Sequence, residues 1–199
     1  MRRDPILSAI IARYGPCRLG TALSGDVYHG LIQAIVSQQL STKAAATIYG
    51  RVRALMPPEG GPAPAALLAV AEDALRAAGL SRQKISYVRD VSQRVLEGSL
   101  PTDRLSSMTD EEVIETVTKV KGIGRWSAEM ILIFRLLRPD ILPVGDLGIV
   151  KAVQKAYGLR KPPTPERLLK IGERWRPYRS VASWYLWASL DNKPLEEKT

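Results

Sequence analysis

Hydrophobic residues recur every three or four positions along most of the chain, which is the spacing typical of helices. The clearest example flanks a pair of glycines, with Val113, Ile114, Val117 and Val120 before it and Met130, Ile131, Ile133, Phe134 and Leu137 after it. The first helix starts in the acidic turn after Thr109 and is predicted to reach Gly122. The second is apolar on most of its circumference and is predicted to be buried as far as Arg138. No pair of strands is indicated, so the predicted fold class is all-α.

Helix start and stop signals divide the rest of the chain in the same way. A first helix begun by Asp4 and Pro5 is expected to pack against the C-terminal helices. Further helices are predicted over residues 65–78, 81–98, 146–157, 166–175 and 178–190. The alanine-rich stretch 65–78 is expected to form one uninterrupted helix, because alanine has the highest helix propensity.

A polar break interrupts the pattern near residue 38. One helix is predicted over residues 27–36, and Ser41 favours the start of the next, because a serine side chain caps helix N–H groups. Gln38, Gln39 and Leu40 therefore lie between two helices. From the residues alone, this segment is a glutamine-rich turn.

The glycine pair lies in residues 120–128, which read VKGIGRWSA. Glycines on both sides of Ile123 permit a tight turn between the two helices, with Ile123 beneath it. The N–H groups at the start of the second helix lack partners within that helix and could bind a phosphate. A plain helical hairpin explains the same spacing. A dinucleotide site is disfavoured, because the third glycine and the preceding strand are missing.

Asp146 follows the segment LPVG and precedes a helical pattern. Aspartate at this place is ordinarily an N-cap. The backbone N–H groups and the helix dipole would also keep the carboxylate ionised, which suits a group that faces a developing cation. Both roles can coexist in one residue.

Net charge and composition limit the kinds of partner and site that the sequence predicts. The formal net charge is +9, and residues 158–187 contain seven basic and two acidic residues beside several aromatics. This favours a polyanionic partner, although a solvated surface would also account for a run of charge. Cys17 is the only cysteine and His29 the only histidine, which makes disulfides, cysteine-ligated clusters, zinc sites and histidine triads improbable. No apolar run has the length of a membrane span.

Three ordered motifs carry a family resemblance: VKGIGRWSA, LPVGDLGI at residues 142–149, and RWRPYRSVASWYLW at residues 174–187. Together they resemble the helix-hairpin-helix superfamily of base-excision DNA glycosylases, and within it the 3-methyladenine DNA glycosylase II family. The resemblance implies two helical lobes flanking a DNA-binding cleft. The central lobe would comprise residues 28–138, and both termini, residues 1–27 and 139–199, would form the second.

The resemblance also assigns roles to individual residues. It makes Asp146 the catalytic carboxylate and Gln39, with Leu40 beside it, the plug that fills the hole left by a flipped base. Its expected DNA-binding set is completed by Lys121, Gly122, Ile123, Gly124, Arg125, Ser127 and Arg179. Its expected base pocket contains Gln38, Trp126, Met130 and Trp187. Main-chain carbonyls of Thr118, Val120 and Ile123 are candidates to hold Na⁺ or K⁺.

The activity implied is hydrolysis of the N-glycosidic bond of alkylated, cationic purines in damaged double-stranded DNA. Trp126 occupies the place where lyase-active members of the superfamily carry a lysine, so no lyase activity is expected. No iron–sulfur cluster is expected either, because the cysteine ligands are missing. The protein is expected to be a monomer, without a membrane partner, in the cytoplasm or at the nucleoid. Excision of deaminated or oxidised bases, a non-catalytic DNA-binding hairpin module and a plain helical interaction protein remain alternatives.

Overall fold

The computed structural model describes residues 4–20, 26–57 and 63–190, and within them the chain forms helices and no strands. The all-α prediction is thereby confirmed. The α-helices are α1 Pro5–Tyr14, α2 Val27–Ser37, α3 Thr42–Ala54, α4 Pro64–Ala69, α5 Glu72–Ala77, α6 Arg82–Leu96, α7 Asp110–Val117, α8 Arg125–Phe134, α9 Leu147–Ala156, α10 Pro165–Gly172 and α11 Arg179–Leu190. Single 3-10 turns occur at Leu105–Ser107 and Glu173–Trp175.

The helices belong to two compact units. The central unit lies within Ser24–Ile131, and the terminal unit lies within Met1–Leu23 and Leu132–Thr199. The division between them falls inside α8. The predicted lobes, residues 28–138 and residues 1–27 with 139–199, stay a prediction, because compactness alone does not show that a segment folds independently.

The central unit is built around α2 and α6. The α2 residues Leu31, Ile32, Ile35 and Val36 are fully buried, and α6 contacts α2, α4 and α5. One polar link crosses this core, where the Tyr28 hydroxyl lies 2.7 Å from Ser92 Oγ. Burial is the main cause that raises the pKa of Tyr28, to about 12. The core therefore fixes the end of α2, from which residues 38–40 emerge.

The predicted single helix over residues 65–78 is wrong, because the chain forms two short helices, α4 and α5, joined through Val70 and Ala71 in extended conformations. The Val70 carbonyl accepts a hydrogen bond from the Arg89 guanidinium on α6 at 3.3 Å. The break places both Leu67 and Leu75 in the core. Tertiary packing has overridden the local preference of the alanines.

The terminal unit is organised around α1, α9 and α11, so the predicted packing of the first helix against the C-terminal helices is confirmed. Asp4 caps α1 by accepting the N–H groups of Ile6 and Leu7. Its other oxygen accepts the Tyr157 hydroxyl and the Trp175 indole N–H. Burial would raise the pKa of Asp4, but these hydrogen bonds outweigh it and hold the pKa below its usual value.

Two predicted helix ends near the hairpin need correction. Helix α7 ends at Val117 rather than near Gly122, and the Thr118 hydroxyl donates to the Ile114 carbonyl. Helix α8 ends at Phe134 rather than at Arg138. Leu137, which was expected on the buried face, is half-exposed and has a positive φ of 52°. The helical period continues in the sequence beyond the points where the backbone turns.

None of the helices in the described ranges combines the length and the apolar character that crossing a membrane would require.

Candidate functional site

Residues 118–124 form the turn between α7 and α8, and the two glycines in it have different functions. Gly122 has a φ of 79°, a region that residues with a Cβ rarely adopt. A Cβ on Gly122 would also lie 2.2 Å from the Tyr87 ring of α6. Gly124 has open space around it, and Ile123 is buried beneath the turn. The backbone conformation of the turn therefore favours glycine at residue 122, whereas Gly124 leaves the outer surface of the turn without a side chain.

The hairpin leads directly into the N-terminus of α8. The first bond into this helix runs from the Ala128 N–H to the Gly124 carbonyl at 3.1 Å. The side chain of Arg125 is engaged within the protein, with two bonds to Glu111 at 2.8 and 3.1 Å and an ion pair with Glu129 at 3.3 Å. The Glu111 carboxylate is the main cause that raises the pKa of Arg125.

An acidic side chain of α6 anchors the other side of the turn. The Lys121 backbone N–H donates to Asp90 Oδ2 at 3.0 Å, while the Lys121 ammonium is 3.9 Å from Asp90 Oδ1 and two-thirds exposed. Burial would raise the pKa of Asp90, but the hydrogen bonds from Lys121 and Arg94 lower it below its usual value. The hairpin backbone is therefore tied to α6, and the Lys121 side chain stays at the surface.

Residues 38–40, which we call the plug segment, join α2 to α3. Gln39 is exposed and has a φ of 59°, and Leu40 is 39% exposed. A left-handed conformation in a residue other than glycine costs on the order of 1–3 kcal/mol, so the surrounding contacts must hold it. The predicted helix start at Ser41 is confirmed, because Ser41 Oγ accepts the Ala44 N–H.

The plug segment and the hairpin are directly linked. Gln38 Nε2 donates to the Gly122 carbonyl at 2.8 Å. Lys84 Nζ, on α6, donates to the carbonyls of Val36 and Gln38, each at 2.7 Å. Burial lowers the pKa of Lys84. Two segments that are far apart in the sequence are therefore held together by side chains of residues 38 and 84.

A cavity of about 640 Å³ lies in the central unit beside this link. Its wall contains six residues predicted for the site: Gln38, Gln39, Gly122, Trp126, Ser127 and Met130. Trp126 is half-exposed. Lys84 and Tyr87 also line the cavity. The cavity thus offers two aromatic rings and amide groups, a combination suited to a flat, polar-edged ring.

The carboxylate predicted to be catalytic lies in the terminal unit. Asp146 caps α9, and its Oδ1 accepts the Ile149 N–H at 2.7 Å, so the predicted N-cap is confirmed. The same oxygen accepts the Trp187 indole N–H of α11 at 2.9 Å. Asp146 is only 9% exposed. A backbone N–H at the helix N-terminus and an indole N–H therefore fix the carboxylate through the same oxygen.

A glycine in α9 leaves room for the contact between Asp146 and Trp187. Gly148 lies in the first turn of α9, and a Cβ there would lie 2.9 Å from Asp146 Oδ1 and 3.1 Å from Trp187 Cδ1. The Trp187 ring also stacks on Phe134, with the ring centroids 5.6 Å apart and an interplanar angle of 28°. Asp146 and Trp187, predicted separately, therefore form one preorganised pair.

Arg179, which was predicted to bind DNA, forms several bonds to Asp140. Its guanidinium donates to the Asp140 carboxylate at 2.8 and 3.1 Å and to the Asp140 carbonyl at 2.7 Å. The side chain is 13% exposed. These bonds join the start of α11 to the segment before α9, and the predicted contact of Arg179 with DNA stays a prediction.

The carbonyls predicted to hold a monovalent cation lie around the same turn as the glycine pair. The Val120 carbonyl accepts the Ile123 N–H at 3.1 Å, and a carbonyl oxygen has a second lone pair available for a cation. Within the described ranges, no group of three His, Cys, Asp or Glu side chains is arranged to hold a metal. A cation here would depend on main-chain oxygens.

Sequence reasoning missed Lys84, Tyr87 and Gly148. Lys84 and Tyr87 belong to an amphipathic helix whose pattern shows which face is buried but not what its partly buried residues contact. Gly148 carried a usable signal, because glycine in the first turn of a helix is unfavourable and calls for a packing reason.

Comparison with known proteins gives consistent matches. The model of HhH-GPD superfamily base excision DNA repair proteins matches residues 32–177. DNA-3-methyladenine glycosylase 1 of Schizosaccharomyces pombe is 36% identical over 182 residues, which cover 91% of this chain and 79% of that relative.

Two solved structures are similar to this chain in both fold and sequence. A Schizosaccharomyces pombe 3-methyladenine DNA glycosylase in complex with abasic DNA has a TM-score of 0.85 and 34% identity, covering 94% of this chain and 92% of that one. A DNA-3-methyladenine glycosidase from Bacillus halodurans has a TM-score of 0.84 and 38% identity, covering 96% and 87%.

Proposed function

The chain belongs to the HhH-GPD superfamily of base excision DNA repair proteins, and on that premise we propose that it is a DNA glycosylase acting on alkylated, cationic purines in duplex DNA. One observation carries the proposal: a nearly buried carboxylate, Asp146, is fixed at a helix N-terminus by a backbone N–H and by the Trp187 indole. The similar proteins named above are 3-methyladenine glycosylases, which favours the alkylated class of lesion.

In the proposed reaction, Asp146 stabilises positive charge on the deoxyribose. As the glycosidic bond breaks, the sugar acquires oxocarbenium character, and a fixed negative charge lowers the energy of that state. Water then adds to the sugar and loses one proton to the solvent, while the electrons of the broken bond neutralise the cationic base. Because an alkylated purine leaves without prior protonation, no general acid is required, which is consistent with a chain whose one histidine, His29, bonds to Asp26.

The proposed base recognition relies on aromatic faces. A purine alkylated on a ring nitrogen is cationic and is attracted to electron-rich rings. Trp126 is a proposed stacking residue, with Gln38 and Met130 beside it at the cavity wall. Trp187 is proposed as a stacking residue from its place in the family motif. Met130 supplies a polarizable thioether, which adapts to rings of different shape.

Proposed DNA binding uses backbone groups of the hairpin more than side chains. The N–H groups at the start of α8, through Gly124, Arg125 and Ser127, are the proposed phosphate ligands. The Lys121 ammonium would add a phosphate contact. Gln39 and Leu40 are proposed to enter the space left by an extruded base, where they would offset part of the few kcal/mol that unstacking requires.

We propose that Na⁺ or K⁺ joins the carbonyls of Thr118, Val120 and Ile123 to a DNA phosphate. The cation would screen the phosphate where the turn approaches it. The test compares DNA affinity in potassium and in tetramethylammonium at equal ionic strength. Equal affinities would reject the cation, whereas weaker binding in tetramethylammonium would support it. The Lys121→Ala variant serves as the control for general charge screening.

Absence of lyase activity is also proposed. A lyase needs an amine that forms a Schiff base with the opened sugar, and Trp126 stands where the superfamily's lysine would be. Lys121 is exposed, and the Lys84 ammonium donates hydrogen bonds to main-chain carbonyls; both are amines to be tested. Borohydride trapping on a lesion-bearing duplex should therefore yield no crosslinked protein. A crosslink abolished by Lys84→Met or Lys121→Ala would overturn this part of the proposal.

Specificity separates the proposal from its alternatives. The assay uses duplexes carrying one 7-methylguanine, uracil or 8-oxoguanine, with base release followed by alkaline cleavage. Release of 7-methylguanine alone supports the proposal, and release of uracil or 8-oxoguanine instead would assign another lesion class. Binding without release of any base would indicate a non-catalytic hairpin module.

We propose that the active form is a monomer acting on chromosomal DNA. Analytical ultracentrifugation should give a mass of 21.9 kDa, that of one chain.

A further inference from the structure

Lys84 contacts the plug segment through the end of α2. The last carbonyls of a helix have no partner within the helix, and a cation there also complements the helix dipole. The Lys84 ammonium donates to the carbonyls of Val36 and Gln38 at 2.7 Å each. Val36 is fully buried and therefore fixed, so the second bond sets the position of Gln38 against the core.

Gln38 connects Lys84 both to the hairpin and to the exposed tip of the plug segment. Its side chain donates to the Gly122 carbonyl of the hairpin at 2.8 Å. Its backbone leads directly into Gln39, whose left-handed conformation turns the exposed tip of the plug segment. A residue in such a conformation persists only where its neighbours hold it.

The same face of α6 also supports the hairpin. Tyr87 follows Lys84 by three residues, which places the two side chains on one side of the helix. The Tyr87 ring occupies the space beside Gly122. One rigid helix therefore contacts the plug segment through Lys84 and the hairpin through Tyr87, while Gln38 closes the link between them.

We infer that Lys84 is a positioning residue that keeps the plug segment in the conformation needed to enter DNA, in register with the hairpin. This inference rests on the proposed function. Burial lowers the pKa of Lys84, in agreement with an ammonium taken partly out of water and committed to the two carbonyls. The Lys84 ammonium donates to main-chain carbonyls, and its effect is exerted through Gln38 and Gln39.

Lys84→Met tests the inference, because it keeps the aliphatic stem and removes the donors. The matched control is Arg82→Met, which removes an exposed positive charge from the same helix. The first readout is 2-aminopurine fluorescence beside an abasic-site analogue in a duplex, which reports insertion of the plug segment and requires no catalysis. Wild type and Arg82→Met should perturb the signal alike, and Lys84→Met at saturating protein should perturb it much less.

The second readout is the single-turnover rate at saturating protein for 7-methylguanine opposite cytosine and opposite thymine. Lys84→Met should lose at least about tenfold more rate on the cytosine-paired lesion, because extrusion of a well-paired base depends most on the plug. Lys84→Arg should restore part of it. An equal loss on both duplexes, or an unchanged fluorescence signal, would overturn the inference. Failure of wild type to release any base, with the fluorescence difference intact, would reject the glycosylase proposal alone.

Discussion

Gly148→Ala should impair catalysis without destabilising the fold. A Cβ at residue 148 would lie 2.9 Å from Asp146 Oδ1 and 3.1 Å from Trp187 Cδ1, so these side chains must shift, and we expect the shift to weaken their hydrogen bond. A hydrogen bond to a charged group is worth about 1.5–3 kcal/mol. If the transition state loses that amount of stabilisation, excision slows by roughly 10- to 100-fold.

The free energy of unfolding of Gly148→Ala should be equal to that of wild type or slightly higher. Alanine in place of glycine favours a helix by about 0.5–1 kcal/mol, which offsets strain from the displaced side chains. We therefore expect a melting temperature within a few degrees of wild type. Gly50→Ala is the matched control, because Gly50 is an exposed glycine inside α3 and its would-be Cβ would meet no atom within 4 Å outside its chain neighbours and the backbone of its own helix.

Two measurements check this prediction. Single-turnover excision of 7-methylguanine gives the rate, and the ¹H–¹⁵N signal of the Trp187 indole reports its hydrogen bond directly. We expect a slower rate and a shifted indole signal in Gly148→Ala, and neither change in Gly50→Ala. A Gly148→Ala protein with wild-type excision would show that the Asp146–Trp187 contact is not needed for catalysis.

Two further predictions concern DNA binding and acid stability. Gly124→Asp should weaken duplex binding at least about tenfold, because it adds a negative charge where a phosphate is expected. Little stability should be lost, because a Cβ at residue 124 meets no neighbouring atom. Unchanged affinity would mean that the hairpin has a structural function only. Asp4→Asn should cost about 1–3 kcal/mol in urea unfolding at pH 7. The pKa of Asp4 is lowered by folding, so its stabilisation exists above the unfolded value near 3.8 and fades as the pH falls through the folded pKa. An equal cost at pH 7 and pH 3 would contradict that sign.

The sequence was sufficient for the features that depend on local chemistry. The hairpin was predictable because glycine at residue 122 permits a positive φ, and Asp146 because aspartate caps helices. The order of the helices followed from hydrophobic spacing, which burial in a core requires.

The remaining features depend on contacts between distant segments. The Val70 break is accompanied by a bond from Arg89, and the Arg179 guanidinium binds Asp140, which is 39 residues away in the sequence. The link between Lys84 and Gln38 joins residues that no local pattern relates. Such contacts change neither propensity nor periodicity, so the residues that orient the plug segment appear only in the folded chain.

Single-turnover excision by Asp146→Asn tests the proposed mechanism most directly. Asparagine can still cap α9 and can still accept the Trp187 indole N–H, so the substitution removes the negative charge with little change in shape. We expect the release of 7-methylguanine from duplex DNA to fall by at least about 100-fold, while affinity for a duplex with an abasic-site analogue stays within a few-fold of wild type. Excision within tenfold of wild type would contradict the assignment of Asp146 as the charge that stabilises the sugar cation.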